Sequence, residues 1–304
     1  MSKFLKTMLV LGVVAVIAFL FFAGAIIGAM ARLAEGGMPV REKRPHITEL
    51  KVEGPIMGSQ LYLESIARIA QDPACKGVLL RIDSPGGAVG ASQEIYSAVK
   101  ALKGKHIPVV VTQGNVAASG GYYVSLAGDR IFSNAGTLTG SIGVIFQFPG
   151  AEKLMNKIGI NLWTVKSGPL KDVGNLARAP TPEELRYLQG VIDNVFEQFV
   201  GDVLANRKVE RAALLKIADG RIMTGEQAKQ HGLVDTLGGY QEAKAYLTSL
   251  AKLEGEPVVV QEPPKKHWLE SMVESRAPSS LGSLSRAAQG LLPVMGEGAY
   301  YLWK

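Results

Sequence analysis

From Ile47 onward, short apolar runs alternate with stretches whose apolar residues recur every three or four positions. ITELKVEG (47–54) reads as a strand, and SQLYLESIARIAQ (59–71) then sets Leu61, Ile66 and Ile69 at helical spacing. GVLLRID (77–83) is a second apolar run that ends in the turn SPGG, and residues 88–103 return to helical spacing. IPVVVTQ (107–113) predicts the next buried strand, with helical residues after Ala117. Strands this apolar need cover on both faces, which the intervening helices supply, so the pattern predicts an α/β domain.

The rhythm loosens through residues 129–147, which have strand character and many glycines. AEKLMNKIG (151–159) predicts a helix closed by Gly159, and INLWTVKSG (160–168) another strand. In TPEE, Thr181 is an N-cap, Pro182 the first helical residue and Glu184 the capping-box partner of a helix running to about Asn206. Thr224 caps a shorter helix that Gly232 ends, and a last helix covers roughly Tyr240–Leu253. After Glu254 the composition shifts to Pro, Ser, Gly and Lys, so residues 254–304 read as a flexible tail.

At the other end, residues 7–31 carry no charge, which is long enough to span a bilayer core of about 20 apolar residues. A cleaved signal peptide has an apolar region of only about 7–15 residues, so an uncleaved anchor is expected. The expected organisation is a short segment at 1–7, a transmembrane anchor at 8–31, a linker at 32–46, a catalytic domain at 47–253 and the tail at 254–304. Lys3 and Lys6 precede the span while Arg32, Arg41, Lys43 and Arg44 follow it, so positive charge leaves the orientation open.

Composition narrows the function classes. Hydrophobic residues at 47% and charged residues at 20% suit a globular domain with one membrane segment. The net charge of +6 comes without a basic run interleaved with aromatics, which argues for contact with anionic lipid and against nucleic-acid binding. Cys75 is the single cysteine, so neither an intrachain disulfide nor a cysteine-rich zinc site is available. Its place in DPACKG, before an apolar run, predicts a buried structural thiol.

The chemistry concentrates in GNVAASGGYYVSLAGD (114–129). Ser119 has small neighbours that let a carbonyl approach, follows a strand and opens a helix whose free N–H groups favour a developing oxyanion. The bland alternative is a close-packed helix start. The SPGG turn offers a second glycine-rich helix start, and Gly86, Gly87 and Gly120 together would make an oxyanion hole. A histidine base is poorly supported. None of the four histidines lies between Ile107 and Gln230; His46 falls in the linker, His267 in the tail, His231 near a helix end, and His106 where a helix cap is expected. Lysine serves as a base when burial keeps it neutral. Lys171, Lys166 and Lys153 are equal candidates on chemistry alone.

Five motifs taken together resolve that choice: DSPGG, AASGGYY, TGSIGVI, SGPLKD and TGEQAKQHGLVD. Over Ile47–Leu253 the chain resembles the short, single-repeat signal peptide peptidase A family, the Ser-Lys branch of the ClpP/crotonase superfamily. The resemblance implies a repeated ββα domain behind a single N-terminal transmembrane helix. It makes Ser119 the nucleophile and Lys171, 52 residues later, the general base. It makes Ser141 the hydroxyl that orients the lysine and places the oxyanion donors on the SPGG turn and Gly120. It further implies a homo-oligomeric ring with active sites shared between subunits, remnant signal peptides as substrates, no cofactor and no metal. The catalytic domain would lie on the extracytoplasmic side of the cytoplasmic membrane. The aromatic end, GAYYLWK, would occupy a substrate groove or touch the membrane interface. Two rivals are a crotonase-like acyl-CoA enzyme, which needs carboxylates in the site, and an inactive membrane scaffold.

Overall fold

The computed structural model describes residues 44–262 and 300–302. The segment expected to cross the membrane lies outside the described residues, among which no helix is long and apolar enough to do so. The strands are β1 (His46–Glu53), β2 (Cys75–Ser84), β3 (Gly86–Ala88), β4 (Val109–Ala118), β5 (Arg130–Ser133), β6 (Leu138–Gly140), β7 (Ile222–Thr224), β8 (Thr236–Leu237), β9 (Val258–Glu262) and β10 (Tyr300–Leu302). The helices are α1 (Gln60–Ala70), α2 (Val89–Ala101), α3 (Gly120–Ser125), α4 (Glu152–Lys157), α5 (Pro182–Asn206), α6 (Arg211–Leu215), α7 (Gly225–Gln230) and α8 (Tyr240–Leu250).

Eight strands form one sheet with the path β7-β6-β4-β2-β1-β9, and β5 joins β4 to β8. Pairing is parallel except between β6 and β7. Both faces are covered, as the continuous apolar runs require. Ile47, Leu79 and Val110 point to one face and meet Ala243 and Leu247 of α8. Leu50, Leu80, Ile82 and Val111 point to the other and join Ile66, Ile95, Tyr123 and Phe199 from four helices.

The site depends on how β4 is used. Its first half, Val110–Gln113, pairs with β5, and its last three residues, Val116–Ala118, pair with β6. The change of partner falls at Gly114 and Asn115. Here Asp83 accepts from Asn115 Nδ2 and Val116 N, and Thr137 Oγ1 donates to the Gly114 carbonyl at 2.6 Å. A side chain at Gly114 would meet the Asp83 carboxylate at 2.7 Å, so glycine is required at the split. β4 therefore runs on to Ala118, and α3 begins only at Gly120, later than the helical spacing after Ala117 predicts.

Several other elements differ from expectation. Residues 160–168 form no strand. Leu162, Trp163 and Val165 stand in solvent, Trp163 at 84% and Val165 at 86% exposure, with no neighbouring strand to complete their hydrogen bonds. β9 lies beyond Leu253, in the segment read as tail, and pairs with β1 from His46 to Leu50. His46, read as part of the linker, is 1% exposed and opens β1. The helix expected from residue 88 ends at Ala101 and passes into a 3-10 turn, which His106 closes in the left-handed conformation at φ 59°. Helix α5 carries the Thr181–Glu184 capping box and spans Pro182–Asn206. Cys75 is buried, accepts from Thr48 Oγ1 at 3.3 Å, and has its thiol pKa pushed up by burial.

Candidate active site

Sheet register brings the two serines together. Ala118 of β4 is level with Gly140 of β6, so Ser119 and Ser141 are the next residues on adjacent parallel strands. The Ser119 N–H donates to the Gly140 carbonyl at 2.8 Å, locking the two strand ends. Both serines have left-handed φ values, 54° at Ser119 and 51° at Ser141. Non-glycine residues held there cost about 1–3 kcal/mol each, and such strain concentrates where a side chain must be aimed. Ser119 is 1% exposed, and its Oγ is buried without a hydrogen-bond partner among the described residues. Ser141 Oγ donates to the Gly220 carbonyl at 3.3 Å and lines a cavity of about 450 Å³ walled by Val144, Ile192, Phe196 and Gly220.

The two glycine-rich helix starts also converge. A Cβ at Gly120 would meet Ser92 Oγ at 2.5 Å and the Gly87 nitrogen at 3.1 Å, so the backbones of Gly120 and Gly87 are neighbours. Gly86 has φ 103°, which favours glycine, and its N–H donates to Ser84 Oγ at 3.1 Å. On its other side the turn is clamped by Ile56: Ile56 N donates to the Gly86 carbonyl, and Ala88 N donates to the Ile56 carbonyl at 2.7 Å. A side chain at Gly87 would lie 2.0 Å from that Ile56 oxygen. The SPGG sequence is thus needed for close backbone approach on two sides. Ile56 carries no signal in the sequence, because its contribution is made by main-chain atoms.

Along Gly86–Ala88 lies β10, antiparallel, with Tyr300 level with Ala88, Tyr301 with Gly87 and Leu302 with Gly86. The edge beside the glycines therefore accepts an extended segment.

Lys171 makes no hydrogen bond to either serine. It lies in an exposed loop, and among the described residues its amine makes no hydrogen bond or ion pair. The other two candidate bases are also placed. Lys166 donates to the Pro169 carbonyl and pairs with Asp172, and Lys153 lies on exposed α4. His106 caps the 3-10 turn, and His231 is the exposed C-cap of α7, so neither serves Ser119. His267 lies outside the described residues. What sequence reading missed is the charge network around the lysine loop. Arg178 donates to both Asp172 and Glu184, while Glu184 is recognisable in sequence only as a helix cap.

The sequence profile of peptidase family S49 matches residues 101–254, and a Clp protease profile matches residues 56–138. The chain belongs to peptidase family S49. It is 41% identical over 216 residues to a putative protease, slr0021, of Synechocystis, covering 71% of this chain and 78% of that one. It is 38% identical to a putative signal peptide peptidase SppA of Enterococcus faecium, covering 66% of this chain and 58% of that protein. It is 32% identical to the chloroplastic serine protease SPPA of Arabidopsis thaliana, over 74% of this chain and 32% of that one. An S49 member is a serine-type peptidase, and the Clp protease match agrees with the α/β architecture around β4. The acyl-CoA reading falls with this assignment.

Proposed function

We propose that this S49 peptidase is a membrane-anchored endopeptidase with a Ser119–Lys171 dyad shared between subunits, acting on remnant signal peptides and other membrane-associated peptides. One observation carries the dyad: among the described residues, the buried Ser119 hydroxyl has no hydrogen-bond partner and the matching lysine makes no side-chain bond. The dyad closes when Lys171 of one protomer enters the site of the next, so assembly is a condition of activity. The exposed apolar residues from Leu154 to Tyr187 support a contact between copies, since burying them would remove a large apolar surface from water.

In the closed site Lys171 acts as the general base, with Ser141 orienting its amine. Ser119 Oγ attacks the scissile carbonyl as Lys171 takes its proton. The Gly87 and Gly120 N–H groups stabilise the oxyanion, with Gly86 holding the turn. Lys171 then protonates the leaving amine. Water attacks the acyl-enzyme, again through Lys171, and frees Ser119. No metal or cofactor enters these steps.

Substrate binds as an antiparallel strand on Gly86–Ala88, the position that Tyr300–Leu302 takes in this chain. The anchor at 8–31 keeps the enzyme in the cytoplasmic membrane with its catalytic domain on the extracytoplasmic side. Because β10 occupies the substrate edge, a chain ending at residue 289 is expected to cleave a peptide substrate several-fold faster through a lower apparent KM. Unchanged KM with weakened binding to anionic vesicles would instead assign the tail to the membrane.

A fluorophosphonate probe tests the nucleophile. The assembled wild type is expected to label once per chain, Ser119→Ala not at all, and Lys171→Ala at a strongly reduced rate. An assembled wild type that resists the probe would defeat this reading.

A further inference from the structure

The loop that carries Lys171 is held by four charges that sum to zero. Asp172 accepts from Arg178 Nη2 at 2.9 Å and Nε at 3.2 Å, and from Lys166 Nζ. Arg178 also forks onto Glu184, through Nη1 to Oε2 at 2.9 Å and through Nη2 to Oε1. Glu184 is anchored in turn: its carboxylate accepts from Thr181 N at 2.8 Å, and its side chain is 3% exposed. Within the loop, Lys171 N donates to the Gly168 carbonyl and Asn175 N to the Asp172 carbonyl. The charged groups on α4 are Glu152, Lys153 and Lys157, and those in the first two turns of α5 are Glu183, Glu184 and Arg186. Among the described residues, Glu184 is the one of these that joins the network.

Asp172 is adjacent to Lys171 in the chain. A free carboxylate there would stabilise the ammonium form of the lysine and oppose the neutral amine that a general base requires. Resting on the dyad reading above, we infer that Arg178 is a positioning residue that acts through Asp172. It sequesters the Asp172 carboxylate from Lys171 and fixes the loop to the first turn of α5. Arginine suits the task because its planar fork engages two carboxylates at once, which a lysine does not. The cations hold Asp172 well below the usual carboxylate range and Glu184 at about 2. Both folded values lie below the ordinary carboxylate pKa, so the network is complete above about pH 4–5 and is lost only as pH falls further. It is therefore intact across the range in which a lysine base titrates.

The test is the pH dependence of kcat/KM on the full-length oligomer. In Arg178→Gln the network carries one net negative charge beside Lys171. The acid limb is expected to move up by about one pH unit, with activity on that limb falling about ten-fold. Adding Asp172→Asn to Arg178→Gln should return the limb to the wild-type position, although the loop contacts stay broken. Lys166→Gln, at a partly exposed side chain, should move the limb in the same direction by less, and it carries the test if Arg178→Gln does not assemble. A wild-type limb in both Arg178→Gln and Lys166→Gln would overturn the inference. So would a double variant that stays shifted, since a structural role alone predicts no rescue. If Lys171→Met leaves both rate and acid limb unchanged, the dyad reading itself fails and takes this inference with it. If Lys171→Met abolishes activity while the Arg178→Gln limb stays put, the sequestering role alone fails.

Discussion

Mixing chains that carry Ser119→Ala with chains that carry Lys171→Ala is expected to restore peptidase activity that neither variant has alone. Ser119 is buried with a partnerless Oγ, and Lys171 makes no side-chain bond among the described residues of its own chain. Removing either member of such a pair should lower kcat by at least about 10⁴-fold, because the nucleophile and its base act as a unit. If each site takes its serine from one subunit and its lysine from the next, random co-assembly returns about a quarter of the sites. Co-refolding the two variants, confirming assembly by size and measuring turnover would decide it. Assembled mixtures no more active than the separate variants would place both residues of the dyad in one subunit.

Gly87→Ala is expected to lower kcat by about 10²–10³-fold with a smaller change in KM, the range seen when one oxyanion donor is lost. The physical cause is steric. The new methyl would sit 2.0 Å from the Ile56 carbonyl oxygen, so β3 must shift away from Ile56 and carry its N–H out of line. Gly90→Ala is the matched control, since nothing lies within 4 Å of a Cβ there. It should retain wild-type turnover and stability, alanine being the better helix former. Equal kcat for Gly87→Ala and wild type, with circular dichroism showing both folded, would remove Gly87 from the oxyanion hole.

How much of this was legible in the sequence differs by element. Capping signals marked α5, because its capping box and Pro182 are local and depend only on the first turn. Apolar runs without alternation marked β2 and β4 for the same kind of reason: a strand covered on both faces is apolar through most of its length. The segment at 160–168 has strand composition and no strand, because a strand exists only where another supplies hydrogen bonds. β9 was hidden by the opposite effect, since its partner β1 lies more than two hundred residues earlier in the chain.

By itself, the sequence determined an α/β domain, a serine at a glycine-rich helix start, a poor case for a histidine base and, through the joint occurrence of five motifs, the kinship with S49 peptidases. Those features are encoded in residue type and short spacing. Only the tertiary structure decided that Ser119 and Ser141 follow the ends of adjacent strands, that Gly87 and Gly120 are neighbours, and that Lys171 is bonded to neither serine among the described residues. It also decided that Arg178 ties the Lys171 loop to Glu184. Each of these rests on register, a backbone clash or an ion pair across folded segments, and none leaves a mark on its own stretch of chain.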